Sequence, residues 1–292
     1  MDIIEKNKTR MAHLSENSAE LSKQIEALDW NELKSALNEC IFQKEETNLP
    51  AEYCPASYFP LTPESTEQKT LYDKAFKHGE VLIRSGKTAA FTVAGGQGTR
   101  LGYDGPKGTL PVSPIKKKTL FQLFAEQILG MSKQYEVTIP WYIMCSPLNL
   151  EATTIHFEEN NYYGLGKENL NFFAQGVMPA TDFDGNLLLA SQDNLALSPN
   201  GHGGSLKALI DSGSITDMAQ RGVEHVSYFQ VDNPLVSIIN PLFIGLHDLQ
   251  TSDMSSRSLT KTGPFEKLGN FVSTGDRISI IEYSDLPEIL LN

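Results

Sequence analysis

The run FTVAGGQGTRLG, Phe91 to Gly102, passes from an apolar strand pattern to four glycines and an arginine within Ala94–Gly102, and Lys107 follows inside GPKG. Glycine lets backbone N–H groups approach an anion closely and tolerates positive φ. Arginine adds a planar fork of donors that matches phosphate oxygens. These residue types point to anion binding. Their spacing decides less. No G-K-[ST] follows, as a Walker loop needs, and GGQGTRLG is not the G-x-G-x-x-G of a dinucleotide fingerprint. From these residues alone, a phosphate-cradling loop stands beside a plain glycine turn with two solvated cations.

Other candidates are scattered along the chain. Gln175, in FFAQG, carries a donor and an acceptor on one amide and so can read a base edge; it is equally a polar residue ending a strand. Asp232, in FQVDN, is a carboxylate just past a strand, or an Asx turn before Pro234. His202 stands between glycines in NGHGG, as turn histidines do. Glu282, in IIEYSD, falls by strand alternation on the opposite face from Ile281, where a surface glutamate is the plain reading. The lysines Lys116–Lys118 read as a solvated loop that adds local positive potential. His156, His225 and His247 read as too separated for a metal cluster.

The elements that must position these residues follow from periodicity. Residues 1 to about 45 read as helical, with Leu21, Ile25, Leu28 and Leu33 near helical spacing. The stretch NLPAEYCPASYFPLTPESTEQ has four prolines and reads as an extended connector. A helix is expected from about Glu67 to Ser85, capped by Thr62 or Ser65. From Thr88 strands and helices alternate. TAAFTVA, TIPWYIMCS, NLNFFAQG and VEHVSYFQVDN are strands. TLFQLFAEQILGM, NLEATTIHFEENN (with Asn149 as its cap) and GSLKALIDSGSITDMAQRG are helical. This alternation predicts an α/β fold with a doubly wound, mostly parallel, Rossmann-like sheet and an N-terminal helical extension. After Asn240, strands are expected at SRSLTKT, KLGNFVST and RISIIEYS. The organisation expected is a helical region and connector over 1–80 and a catalytic domain over 81–292.

Composition limits the function classes. The net charge of −12 argues against general binding to nucleic acid or an anionic membrane surface. Three cysteines without a C-x-x-C pair argue against a disulfide framework or zinc site. The polar N-terminus and the lack of a run of about 18 apolar residues set a cytoplasmic protein as the expectation. Oligomeric state is left open.

The ordered motifs AGGQGTRLG…GPKG, FFAQGVMPATDFDG, ALSPNGHGGSLKAL, VDNPLVSIINPLFIG and EKLG…IIEYSDLP resemble the UDP-sugar pyrophosphorylases, especially the UDP-N-acetylglucosamine (UDP-N-acetylhexosamine) group. The resemblance covers roughly residues 65 to 292. It implies the nucleotide-diphospho-sugar transferase version of the doubly wound sheet. The implied reaction joins UTP and a sugar 1-phosphate, foremost N-acetylglucosamine 1-phosphate, giving UDP-sugar and pyrophosphate. UDP-glucose synthesis is the alternative substrate reading.

Residue by residue, the resemblance makes Arg100 and Lys107 the catalytic cations at the triphosphate. It brings the backbone of Ala94, Gly95 and Gly96 to the uridine and makes Gln175 the uracil-reading amide. Gly201 approaches the nucleoside or sugar. Asp232 binds the nucleotide through Mg²⁺, and Gly269 and Glu282 contact sugar hydroxyls. His202 replaces an asparagine that contacts the sugar in the N-acetylhexosamine group, so selectivity for that sugar is not carried over. Members of the family continue past the point where this chain stops, with a further strand region and a further catalytic lysine. The resemblance therefore implies a catalytic domain incomplete at its C-terminus, and leaves a catalytically weak nucleotide-sugar binding or interaction protein as the alternative of another class.

Overall fold

The computed structural model describes residues 2–42, 54–263, 265–275 and 277–284. In chain order the elements are α1 (Ile3–Ser15), α2 (Ala19–Glu26), α3 (Trp30–Leu37), β1 (Cys54–Pro55), α4 (Thr66–Arg84), β2 (Thr88–Val93), α5 (Leu120–Tyr135), β3 (Trp141–Cys145), α6 (Leu150–Glu159) and β4 (Leu170–Ala174). Then follow the short β5 (Val177–Pro179), β6 (Leu189–Ser191), β7 (Asn194–Leu195) and β8 (Leu197–Pro199). The run closes with α7 (Ser205–Asp211), α8 (Ser214–Gln220), β9 (His225–Gln230), α9 (Pro241–Leu249), β10 (Asn270–Thr274) and β11 (Arg277–Ile281). The chain divides into two units, one of Thr70–Ala180 and Leu187–Ser252, the other of Met1–Lys69, Thr181–Asn186 and Asp253–Asn292.

The first unit is built on a four-stranded parallel sheet in the order β4-β3-β2-β9. The two central strands are buried along their whole length, as their largely apolar runs, interrupted in β2 by Thr88 and Thr92, require. Side chains alternate between two layers. Ala90, Ile143 and Phe229 pack with Ile83 of α4, Phe121 and Phe124 of α5, Phe157 of α6 and Ile244 of α9. Phe91, Tyr142, Met144 and Phe173 pack with Leu209 of α7 and Met218 of α8. Helices thus cover both faces, the doubly wound arrangement that the alternation predicts. The polar atom of Trp141 in this core is satisfied, its Nε1 donating to Thr92 Oγ1 at 2.7 Å.

Two glycines set how closely α4 and α9 cross. A Cβ on Gly79 would lie 1.9 Å from the Pro241 carbonyl oxygen, and one on Gly245 would lie 1.8 Å from that of Ala75. Both contacts are with backbone, which cannot swing aside.

The second unit holds α1–α3 and the antiparallel sheet β1-β10-β11. Each helix start has its own acceptor: Asp2, Ser18 and Asp29 take backbone N–H groups of α1, α2 and α3. The buried Asn7 ties α1 to the 181–186 turn by donating to the Gly185 carbonyl at 2.9 Å.

The structure corrects several expectations. The N-terminal helical region is three capped helices, and its expected residues 43–45 lie outside the described ones. SRSLTKT forms no strand; its only large apolar residue, Leu259, is exposed, so it has no face to bury. Instead α9 forms after Asn240, whose side chain accepts from Phe243 N at 2.9 Å with Pro241 in the first turn. Asparagine before proline is a helix-start signal that the strand reading of this region passes over. Ser65, not Thr62, caps α4, accepting from Gln68 N at 3.2 Å. Among the described residues no helix is long and apolar enough to cross a membrane.

Candidate functional site

Sheet register decides which loops meet. Val93 pairs with Met144 and with Gln230, and Cys145 pairs with Ala174. The strands therefore end level, and the segments after them, beginning at Ala94, Ser146, Gln175 and Val231, emerge along one edge. The carboxyl edge of a parallel sheet is where ligands bind in open α/β folds.

The glycine loop is folded back on itself. Gly98 N donates to Gly105 O at 2.9 Å and Lys107 N to Gly96 O at 3.0 Å, which closes an antiparallel bridge between Gln97 and Pro106. Gly98 is needed here for space, since a Cβ would lie 2.8 Å from the Tyr103 ring. Gly108 seats the next turn, Lys107–Thr109, on the core; a Cβ there would lie 2.1 Å from Phe121. The second glycine of GPKG is thus a packing residue, and it aims the lysine before it.

That lysine reaches the end of β9. Its Nζ donates to Asp232 Oδ2 at 2.9 Å, with the lysine side chain 20% and the aspartate 54% exposed. The lysine tip also borders Gly96, 3.6 Å from where a Cβ would stand. Gln175 is buried, and its amide nitrogen lies 3.0 Å from the Cβ position of Gly95. Ala94 is buried, with its N–H on Met144 O at 2.7 Å. Lys107, Asp232 and Gly96 are thus together, and so are Gln175 and Gly95. Arg100 stands exposed in the short turn Thr99–Leu101; among the described residues no ion pair joins it to them.

Gly201 has φ +71 and leads into the turn His202–Gly204. His202 Nδ1 lies 2.9 Å from the Tyr228 hydroxyl of β9, a phenol whose pKa burial raises. In the other unit, Gly269 and Glu282 meet across the β10–β11 hairpin. Glu282 Oε1 lies 3.3 Å from the Cβ position of Gly269, and Glu282 is exposed just beyond the end of β11.

Sequence reasoning missed two residues here. Asn149 was expected to cap α6, but its side chain makes no cap bond. It is fully buried and bonds the glycine loop instead, its Nδ2 donating to Gly95 O at 2.9 Å and Gly96 O at 3.1 Å. Gln97 Nε2 donates to its Oδ1. Asn200 is the second. A Cβ on Gly176 would come within 2.6 Å of its amide, and one on Gly204 within 2.2 Å. The glycines on either side of it in FFAQG and NGHGG therefore make room for one side chain that joins the two loops. No local pattern marks either asparagine; Gly204 apart, their partners are distant in sequence.

The histidines also need correcting. His225 and His247 are neighbours, with ring centroids 5.5 Å apart. Asp248 stands between His78 and His225, at 2.5 Å and 3.2 Å from their Nε2 atoms. This cluster sits where β9 begins, at the opposite end of the sheet from the glycine loop. The hydrogen bond from His78 holds the Asp248 carboxyl below its usual range. Among the described residues no group of three or more such side chains could hold a metal. Cys54 and Cys145 are free, and burial pushes the Cys145 thiol up to about 12, so it is not a nucleophile.

A doubly wound α/β sheet whose carboxyl edge carries a glycine loop, a converging cation and a buried amide defines a Rossmann-like fold with its ligand loops on that edge. The chain belongs to the UTP–glucose-1-phosphate uridylyltransferase family, whose model matches residues 21–291. It is 36% identical over 236 residues to the UDP-N-acetylglucosamine pyrophosphorylase of Saccharomyces cerevisiae, covering 80% of this chain and 49% of the relative. It is 40% identical over 224 residues to the probable UDP-N-acetylglucosamine pyrophosphorylase of Dictyostelium discoideum, covering 72% and 46%. The crystal structure of a putative UDP-N-acetylglucosamine pyrophosphorylase from Entamoeba histolytica superposes with a TM-score of 0.74 at 34% identity, over 82% of this chain and 60% of that one. The chain spans about half the length of these two sequence relatives.

Proposed function

We propose that this chain carries the UTP-binding part of a uridylyltransferase that joins UTP to a sugar 1-phosphate, foremost N-acetylglucosamine 1-phosphate, and releases pyrophosphate. The observation that carries this reading is the meeting of Lys107 and Asp232 beside Gly96, on the loop against which Gln175 packs. A cation, a carboxylate and a base-reading amide on one sheet edge suit a nucleoside triphosphate. The relatives' names support the uridine and N-acetylglucosamine parts.

In this reading an oxygen of the sugar phosphate forms a bond to the α-phosphorus of UTP, and the bond to the pyrophosphate oxygen breaks. The attacking phosphate is already ionised, so no strong base is needed. The work is positioning and charge stabilisation. Lys107 and Arg100 neutralise the triphosphate, and Lys107 is held ready by Asp232. Gln175 reads the uracil, the backbone of Ala94–Gly96 approaches the uridine, Gly201 and His202 border the sugar side, and Gly269 and Glu282 address sugar hydroxyls. A cytoplasmic setting belongs to the same proposal.

Mg²⁺ belongs here as well. The donor set fits it in one way only: the Asp232 carboxylate, half exposed, supplies one oxygen of the roughly six that Mg²⁺ takes, and triphosphate oxygens and water supply the others. When bound, the ion would neutralise charge on the phosphates.

Glucose 1-phosphate is the second reading. It is favoured by His202, held on Tyr228, at the place where the N-acetylhexosamine group has an asparagine, and by the description of the matching family. The test is pyrophosphate release from UTP with a panel of sugar 1-phosphates. Release with N-acetylglucosamine 1-phosphate alone bears out the first reading, and release with glucose 1-phosphate the second. UTP binding without release leaves a nucleotide-sugar binding protein.

A further inference from the structure

We propose that Asn149 is a positioning residue for the glycine loop, and that it turns the N–H groups of Gly96 and Gln97 outward as a paired anion site. The inference rests on the reading of the loop as a phosphate-binding element and identifies what holds it in shape.

Asn149 is fully buried, so its amide has to be satisfied by protein. Its three side-chain hydrogen bonds all go to three consecutive loop residues. Two donor bonds reach the carbonyls of Gly95 and Gly96, at 2.9 Å and 3.1 Å. Its oxygen accepts from Gln97 Nε2. Its own backbone is fixed at both ends, its N–H on Ser146 O at 3.0 Å and its carbonyl taking Thr153 N at 2.9 Å. The clamp is therefore mounted on the first turn of α6.

The consequence follows from the planar trans peptide, in which the C=O of one residue and the N–H of the next point in opposite directions. With the carbonyls of Gly95 and Gly96 drawn in to Asn149, the N–H groups of Gly96 and Gln97 face away from it. Gly96 and Gln97 are exposed, and among the described residues neither N–H donates a hydrogen bond. Two successive outward amides form a concavity for an anion. The ammonium of Lys107 lies beside the same glycine. A glycine loop without the clamp could rotate these peptides at little cost, so the clamp supplies preorganisation.

The test uses the whole chain and inorganic tripolyphosphate, followed by the amide resonances of Gly96 and Gln97. In the parent protein, tripolyphosphate shifts both amides. Asn149→Asp keeps the shape but replaces the two donors by an oxygen that repels the loop carbonyls. It weakens tripolyphosphate binding about tenfold or more, the scale of one hydrogen bond to a charged group. Gln97→Met, at an exposed position, removes only the third bond; it keeps the fold and gives a smaller loss in the same direction. Unshifted amides in the parent protein, or a folded Asn149→Asp protein with unchanged tripolyphosphate affinity, would overturn the proposal and leave Asn149 a packing residue. The nucleotide reading fails separately: equal affinity for UTP and ATP rejects the uridine assignment while the tripolyphosphate result stands.

Discussion

The ammonium of Lys107 and the carboxylate of Asp232 lie 2.9 Å apart, 125 residues distant in sequence, at the ends of neighbouring segments on one edge of a parallel sheet. An ion pair this exposed contributes little to stability, about 0–1 kcal/mol. In the proposed function its role is to hold two opposite charges where a phosphate and a metal would compete for them.

Asp232→Asn should therefore leave the fold intact and remove most of the metal response. Without Mg²⁺ the variant should bind UTP more tightly than the parent, because Lys107 is freed and a carboxylate that repels phosphate is gone. Adding Mg²⁺ should strengthen binding in the parent and hardly at all in the variant. Calorimetric titration of both proteins, with and without Mg²⁺, checks this. An identical Mg²⁺ effect in the two would remove Asp232 from the metal's coordination.

Lys107→Ala and Arg100→Ala should each lower turnover of an active, longer form by about 10²–10³, the usual effect of losing one charge-stabilising contact. Thermal stability should hardly move, since Arg100 is exposed and the aspartate that Lys107 pairs with is half exposed. Unchanged turnover at normal stability would return both to the status of solvated cations on a glycine turn.

Gln175→Leu should erase much of the preference for UTP over ATP. The amide is buried against Gly95, where it can offer a donor and an acceptor to an imide edge. Losing such a pair costs about 1 kcal/mol or more, a factor of roughly five to ten in the UTP:ATP affinity ratio. Competition binding of the two nucleotides gives the ratio directly, and an unaltered value would assign Gln175 to the strand end alone.

Gly245→Ala should be among the most destabilising single changes in the sheet unit. Its Cβ would stand 1.8 Å from a backbone oxygen of α4, so the helices must separate, at a cost of about 3 kcal/mol or more. Gly130→Ala is the control: it has no atom within 4 Å of the new Cβ, and a helical alanine there should be neutral or stabilising. Urea unfolding of both variants tests the contrast.

Acidification should destabilise the fold through two histidines. Burial holds His156 and His225 below the ordinary value of 6.5, against the opposing charge of Glu159 on the first and of Asp248 and Glu224 on the second. A lowered folded-state value means that the unfolded chain takes up the proton more readily, so stability is complete above 6.5 and is lost as pH falls below it. Melting temperature should drop between about pH 7.5 and about pH 5.5, and His156→Gln should make the drop shallower. A flat profile in the parent would show that neither ring is held neutral by the fold.

The sheet unit was legible because its information is local. Thr88–Val93 and Trp141–Cys145 are largely apolar runs, Leu120–Tyr135 repeats at helical spacing, and strands alternating with helices leave few topologies open. The glycine loop was legible only in part: its residue types point to anion binding but leave a plain glycine turn open, and it was the ordered motifs along the chain that singled it out. Tertiary structure decided the rest. Asn149 looks like a helix cap in sequence, since asparagine before a helix usually is one; only the packing of α6 beside the loop gives its amide three better partners. The glycines of α4 and α9 look like weak points in two helices until the helices cross at Gly79 and Gly245. His78, His225 and His247 are spread over 170 residues and meet at Asp248 because α4, β9 and α9 pack together. Periodicity and residue type determine which face of an element is apolar and what a side chain can bond. Which partner it actually bonds depends on contacts between segments far apart in the chain, and those exist only once the sheet register has brought the strand ends level.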